Sequence, residues 1–185
     1  MKNQPLIKFF VVFLLLKLST FLKAEEIGTA FGVTLGKPFP KTIPTISTTT
    51  NGAFVFHDFK PNNVKYIESV MTASFVTDKT NYVCSISGYG NFKSKLEQDE
   101  AVDILKDLLS TKYTTSTSRK KQSAFRNIFS IEQGSRTVSI QTEINLSNFP
   151  MAYQISIIYL DEVFARQILD YQKQLKLKQT KSDSF

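Results

Sequence analysis

The sequence predicts an α+β protein: an antiparallel sheet of five or six strands with two helices packed mainly on one face. Three observations carry this. Apolar residues alternate at period two in several stretches, most clearly Val138, Ile140, Thr142, Ile144 and Leu146, then Tyr153, Ile155, Ile157 and Tyr159. The links between those stretches are hairpin-length, which suits antiparallel neighbours. Two stretches with helical spacing each follow a group of strands, the order expected when helices cover one layer of sheet.

In chain order, Phe31, Val33 and Leu35 alternate as in a short strand that ends at Gly36, Pro38 and Pro40. Residues 42–52 are threonine-rich with Pro44 among them, and read as a loop or extended segment. Ala53 to Phe59 suits a second short strand, and Pro61-Asn62-Asn63 a turn. Val64 to Thr77 reads as a strand with Ile67, Met71, Ala73 and Phe75 toward one side, and Tyr66, Val70 and Val76 toward the other. Asp78-Lys79-Thr80-Asn81 turns the chain, Tyr82 to Tyr89 returns, and Gly88 and Gly90 break the pattern. Ser94-Lys95-Leu96-Glu97 then has the form of a capping box, in which the serine accepts a backbone N–H and the glutamate reaches back. Asp99 and Glu100 place negative charge in the early turns, where the helix dipole favours it. Ala101, Leu105, Leu108 and Leu109 trace the expected buried stripe, and Tyr113 stands near the end.

Residues 114–122 contain no apolar side chain and read as an exposed loop with a basic end. Strands resume with Phe125 to Ile131, a turn at Glu132-Gln133-Gly134-Ser135, and the two alternating stretches above. Asp161 is placed to cap a last helix, along which Phe164, Ile168, Tyr171 and Leu175 recur at spacings of four, three and four; Lys181 onward reads as a loose tail. The halves share a sheet-then-helix rhythm without residue identity.

The first 24 residues have the three parts of an export signal: Lys2 and Lys8, an unbroken apolar run from Phe9 to Leu16, and Leu22-Lys23-Ala24 before Glu25-Glu26. A spanning helix needs about 20 mainly apolar residues, whereas this stretch carries Lys8 and Lys17. The expected organisation is a signal at 1–24, one domain at 25–180 and a flexible tail at 181–185, with cleavage after Ala24. The protein is then exported, periplasmic or extracellular, and touches a membrane only through that segment if it is kept. The full chain has 23 Lys and Arg against 16 Asp and Glu. Removing Lys2, Lys8, Lys17 and Lys23 leaves a net charge of +3, too mild to argue for nucleic acid. The remaining 161 residues suffice for a sizeable core. With Cys84 the sole cysteine, no disulfide can form within the chain.

Residue types suited to catalysis are scarce. His57, the single histidine, adjoins Asp58; as base and orienting carboxylate they would form an alternative catalytic pair, but neighbours on a strand point to opposite faces. Cys84 lies mid-strand among apolar neighbours, which suits a buried, inert thiol. Asp99, Asp103 and Asp107 lie along one helix as a solvated stripe that cannot wrap an ion, and no metal or cofactor is expected. Arg119, Lys120, Lys121 and Arg126 form the densest basic cluster; with Tyr89 and Phe92 they are the candidate binding residues. Tyr66, Tyr82 and Tyr113 add aromatic area that would mark a binding patch wherever it stays exposed together. Asn145-Leu146-Ser147 is a glycosylation sequon, meaningful only in a eukaryote, and the abundance of Lys, Asn, Ile and Phe suggests an AT-rich bacterium instead.

The run Phe31-Gly32-Val33-Thr34-Leu35-Gly36-Lys37-Pro38-Phe39 after a signal resembles the opening of small uncharacterised exported bacterial proteins with an FGxxLG-type start. Tyr82-Val83-Cys84-Ser85-Ile86-Ser87-Gly88-Tyr89-Gly90 and a helix ending Leu108-Leu109-Ser110-Thr111-Lys112-Tyr113 are similar to how those proteins continue. The resemblance implies fold and compartment and transfers no activity. The function expected is a non-enzymatic, exported binding or accessory protein of the bacterial envelope whose partner is another protein, in an inhibitor- or immunity-like role. The alternatives are a small hydrolase using His57 and a lipid or small-ligand binder, the last requiring an apolar cavity.

Overall fold

The computed structural model describes residues 25–78, 80–113, 122–123, 126–145, 152–164, 166, 170, 171 and 173. Its centre is one antiparallel sheet. Four strands come from the first half: β3 (Ser47–Asn51), β4 (Phe54–Phe59), β5 (Ser69–Thr77) and β6 (Thr80–Phe92). Four come from the second: β7 (Gln122–Ser123), β8 (Arg126–Gln133), β9 (Arg136–Asn145) and β10 (Ala152–Asp161). The spatial order is β3-β4-β5-β6-β10-β9-β8-β7, so the two meanders meet along β6 and β10. Seven of these strands have five residues or more, which exceeds the five or six expected. A separate hairpin, β1 (Thr29–Ala30) with β2 (Val33–Thr34), precedes them.

Alternation sets one dry face. Val70, Ile86, Val138, Ile140, Ile155, Ile157 and Tyr159 all lie in the buried core, and the register places Ile157 opposite both Ile140 and Gly88. The helix α1 (Lys95–Lys112) covers this face. Its cap forms as expected, with Ser94 Oγ accepting from Glu97 N at 3.2 Å, while Glu97 reaches back to Lys93 N at 3.0 Å. The buried stripe is shifted from the expected one: it runs through Gln98, Ala101, Val102, Leu105 and Leu109, and Leu108 is 60 % exposed. Gln98 explains the shift. Its amide donates to the carbonyls of Gln154 (2.8 Å) and Glu143 (3.3 Å) and rotates the helix to bring that polar side chain onto the ends of β9 and β10.

The second helical stretch begins where Asp161 caps it, Oδ1 accepting from Val163 N at 3.1 Å. It does not join α1 on the same face. Phe164 packs on Tyr82 with the rings tilted by 31° (centroids 4.2 Å apart), and Tyr171 meets Phe75 edge-on at 5.4 Å. Phase along β5 and β6 directs Phe75 and Tyr82 away from the core face. The helices therefore sit on opposite sides of the sheet, because aromatic residues at that end leave apolar area on both.

Two other expectations change. Phe31-Gly32 is the turn between β1 and β2, with φ of 54° and 81°, rather than part of a strand. Positive φ is uncommon for phenylalanine; here the ring lies over Gly88 and edge-on to Tyr159. Gly88 and Gly90 do not end a strand either. They form a notch in the C-terminal half of β6 that receives Phe31 and Ile67 above Gly88 and the Tyr66 carbonyl above Gly90. A register shift between Ala73 and Ser74 leaves Cys84 as the extra residue of a bulge, buried, with Sγ donating to Ala73 O at 3.0 Å.

Candidate functional site

The segment that follows β2 builds the site. Gly36 N donates to Val83 O and Val83 N to Lys37 O, both at 2.8 Å, so the chain leaves the end of β6 as a short sheet-like extension. Proline at 38 and 40 keeps the next residues extended. Phe39 then folds back over β4, stacking on His57 with centroids 4.2 Å apart and an 18° tilt, and meeting Phe59 at 5.8 Å. Ile46 N returns to Asp58 O at 2.7 Å and leads into β3.

Between this arch and the sheet lies an open cavity of about 460 Å³. Its apolar wall is Phe39, Ile43, Val55 and Val76; Lys41, Thr48, His57 and Asn81 supply polar groups. A second hollow of about 320 Å³ lies on the other side of Ile43, against Phe31, Phe59 and Val64. The larger cavity opens beside β3, an edge of the sheet. All five residues of β3, Ser-Thr-Thr-Thr-Asn, are exposed, and Ile46 just before them is 69 % exposed. The strand contains no charge, proline or bulge, the usual devices that blunt an edge. Thr48 and Thr50 turn their side chains to the cavity side, as His57 and Val55 do opposite them.

His57 and Asp58 divide as strand geometry requires. His57 Nδ1 lies 3.2 Å from Thr48 Oγ1 on the cavity side, and Asp58 accepts from Ser47 Oγ at 2.5 Å on the other. Burial lowers the His57 pKa from its ordinary 6.5, against a smaller upward pull from Asp58. The ring is thus neutral near pH 7 and offers one donor and one acceptor. Among the described residues no carboxylate bonds it, so the orienting group that a histidine base uses in a triad is not provided by Asp58. What the arrangement can do is bind: an aromatic stack, an apolar wall, an ammonium and hydroxyl and amide groups converge on one opening.

The other candidates do not gather there. Arg119, Lys120 and Lys121 lie outside the described residues, as does most of the sequon. Arg126 begins β8, on the far side of the sheet from β3. Tyr89 and Phe92, three apart on β6, point to opposite faces and are both half-buried, so they make no common patch. Phe92 packs on Tyr66 at 6.2 Å, and Tyr113 is buried. Cys84 is held away from reaction: burial pushes its thiol up to about 11. Among the described residues no group of three or more His, Cys, Asp or Glu is placed to hold a metal ion, and no helix is long and apolar enough to cross a membrane.

The sequence reading of 42–52 as a loop or extended segment did not pair 47–51 with β4 as an edge strand, and His57 was singled out without Phe39 or the cavity. A signal was present: five β-favouring or turn-tolerant residues, then Gly52-Ala53, then Phe54 to Phe59, which is a two-residue hairpin with glycine first. No family model, curated protein or solved structure matches this chain.

Proposed function

We propose that this chain is an exported, non-enzymatic binding protein that takes an extended segment of another protein along the open edge of β3. The observation that supports this reading best is the uncharged edge strand, exposed along its whole length, lying directly beside a cavity with room for more than one side chain. Strand addition gains affinity from main-chain hydrogen bonds and specificity from pockets that receive alternate side chains. Here an added strand would carry every second side chain over Thr48 and Thr50 toward the Phe39–His57 stack. Asn51 and Phe54 close the two-residue turn as a hydrogen-bonded pair, so Thr50 presents its N–H and C=O outward.

A peptide array of extended sequences, read with wild-type protein and with Thr50→Pro, tests the idea. Proline there removes an outward donor from an edge strand that tolerates it. Captured peptides should lose at least tenfold in affinity with Thr50→Pro and should also respond to His57→Ala. Peptides held equally by wild type and Thr50→Pro would reject strand addition. The cavity's volume, within the range of small-molecule sites, favours a second reading as a small-ligand binder. A small ligand that competes at His57 and is indifferent to Thr50→Pro would select that reading.

A further inference from the structure

We propose that the bond between Ala24 and Glu25 is hydrolysed and that the α-amino group so released caps the C-terminal end of α1. The proposal rests on the export reading above for the cut, and on the described residues 25–28 for the cap. In the cut, an endopeptidase of the signal-peptidase type adds water across the amide. The C–N bond breaks, oxygen goes to the Ala24 carbonyl carbon to leave a carboxylate, and the Glu25 nitrogen becomes an ammonium.

That nitrogen is already placed. Glu25 N lies 3.2 Å from the carbonyl oxygen of Lys112, the last residue of α1. The final carbonyls of a helix lack partners within it and carry the negative end of its dipole. As a peptide N–H the nitrogen makes one neutral bond there; as an ammonium it makes a charge-assisted one, shorter and stronger.

The residues just after the cut hold it in register. Ile27 is fully buried, and its N–H donates to Gln133 Oε1 at 2.6 Å. Arg136 donates to Ile27 O at 3.0 Å and to the Glu26 carboxylate at 3.1 Å. Gln133 Nε2 reaches Glu25 O at 3.5 Å. The charge of Lys112 beside the new ammonium is balanced: its Nζ pairs with the Glu25 carboxylate at 3.4 Å. Five contacts within three residues of the cut are more than a free chain end needs if it were only trailing from the fold. They fix an N-terminus where its charge is favourable.

The test has two parts. The mass of the protein recovered from the envelope of its own host should correspond to a chain beginning at Glu25; any other N-terminus overturns the cut, and finding the chain only in the cytoplasm with its leader intact overturns the export reading as well. Separately, chains beginning at Glu25 with a free or an N-acetylated amine are melted at pH 7. Acetylation restores the neutral amide without changing any side chain. The free amine should melt about 3 °C higher, the shift expected when a charge meets a helix end in a chain of this length. Equal melting temperatures overturn the cap whatever the result of the first measurement.

Discussion

Replacing Gly90 by alanine probes the notch on which the two layers close. A Cβ built on Gly90 lies 1.9 Å from Tyr66 O and 3.0 Å from Tyr66 C, where ordinary contact begins at 3.4 Å. Relief therefore needs the Tyr66 backbone to retreat by about 1.5 Å, since no side-chain rotation can move a carbonyl. Retreat has two costs. Glu68 N–H loses its bond to Tyr89 O, now 2.8 Å, worth about 1 kcal/mol. Ile67, 5 % exposed, is drawn partly out of the core, and its full burial is worth about 2 kcal/mol. The expected loss is between about 2 and 3 kcal/mol, within the range for overpacking, which lowers the melting temperature by about 4–12 °C in a chain of this size. Gly134→Ala is the control: φ there is 63° with no atom within 4 Å of the added methyl, so it should cost only the left-handed strain of about 1 kcal/mol. Urea unfolding followed by circular dichroism gives both values from the midpoints, with slopes unchanged. If Gly90→Ala proves no more destabilising than Gly134→Ala, the loop does not press on β6 as described and the notch argument fails.

Arg136→Ala should cost about 3 kcal/mol in the same assay, because Asp161, 5 % exposed, loses the guanidinium bonded to it at 3.1 Å; a loss under about 1 kcal/mol would show that water replaces it. The Cys84 thiol, buried and raised to about 11, should resist alkylation at pH 8 in the folded protein and react fully in urea, and comparable rates in the two states would contradict its burial. The single imidazole should titrate below 6.5 by NMR, since burial disfavours its charged form. The folded state then binds fewer protons than the unfolded one between the two midpoints, so His57's contribution to stability is complete above 6.5 and is lost as pH falls through the lower folded midpoint. His57→Gln should remove that part of the slope, and an unchanged acid limb would show that His57 does not contribute to it.

Much of the fold was legible because its signals are local. The alternation in β9 and β10, the serine and glutamate at the start of α1 and the Asp161 cap each depend on residues within one or two turns of one another, and each appears where the pattern places it. The rotation of α1 was not legible. Leu108 and Val102 are equally apolar, and only the carbonyls of Glu143 and Gln154, about 50 residues away in the chain, turn Gln98 inward and Leu108 out. Gly88 and Gly90 read as breakers in sequence, because nothing nearby shows that Phe31 and Tyr66 will lie over them. The candidate site was least legible of all. Phe39 and His57 have no relation by spacing, and β3 has no apolar face to betray it, since an edge strand exposed throughout needs none.

By itself, the order of residues determined most of the element types, the antiparallel neighbours of the longer hairpins, the opposite directions of His57 and Asp58, and the burial of Cys84. These follow from periodicity, turn length and the two-sided geometry of a strand. Tertiary structure alone decided that the two meanders join through β6 and β10, that the helical stretches lie on opposite faces, and that the arch at Phe39 leaves a cavity beside an open edge. Those outcomes depend on contacts between residues far apart in the chain, whose free energy appears only when both partners are already in place.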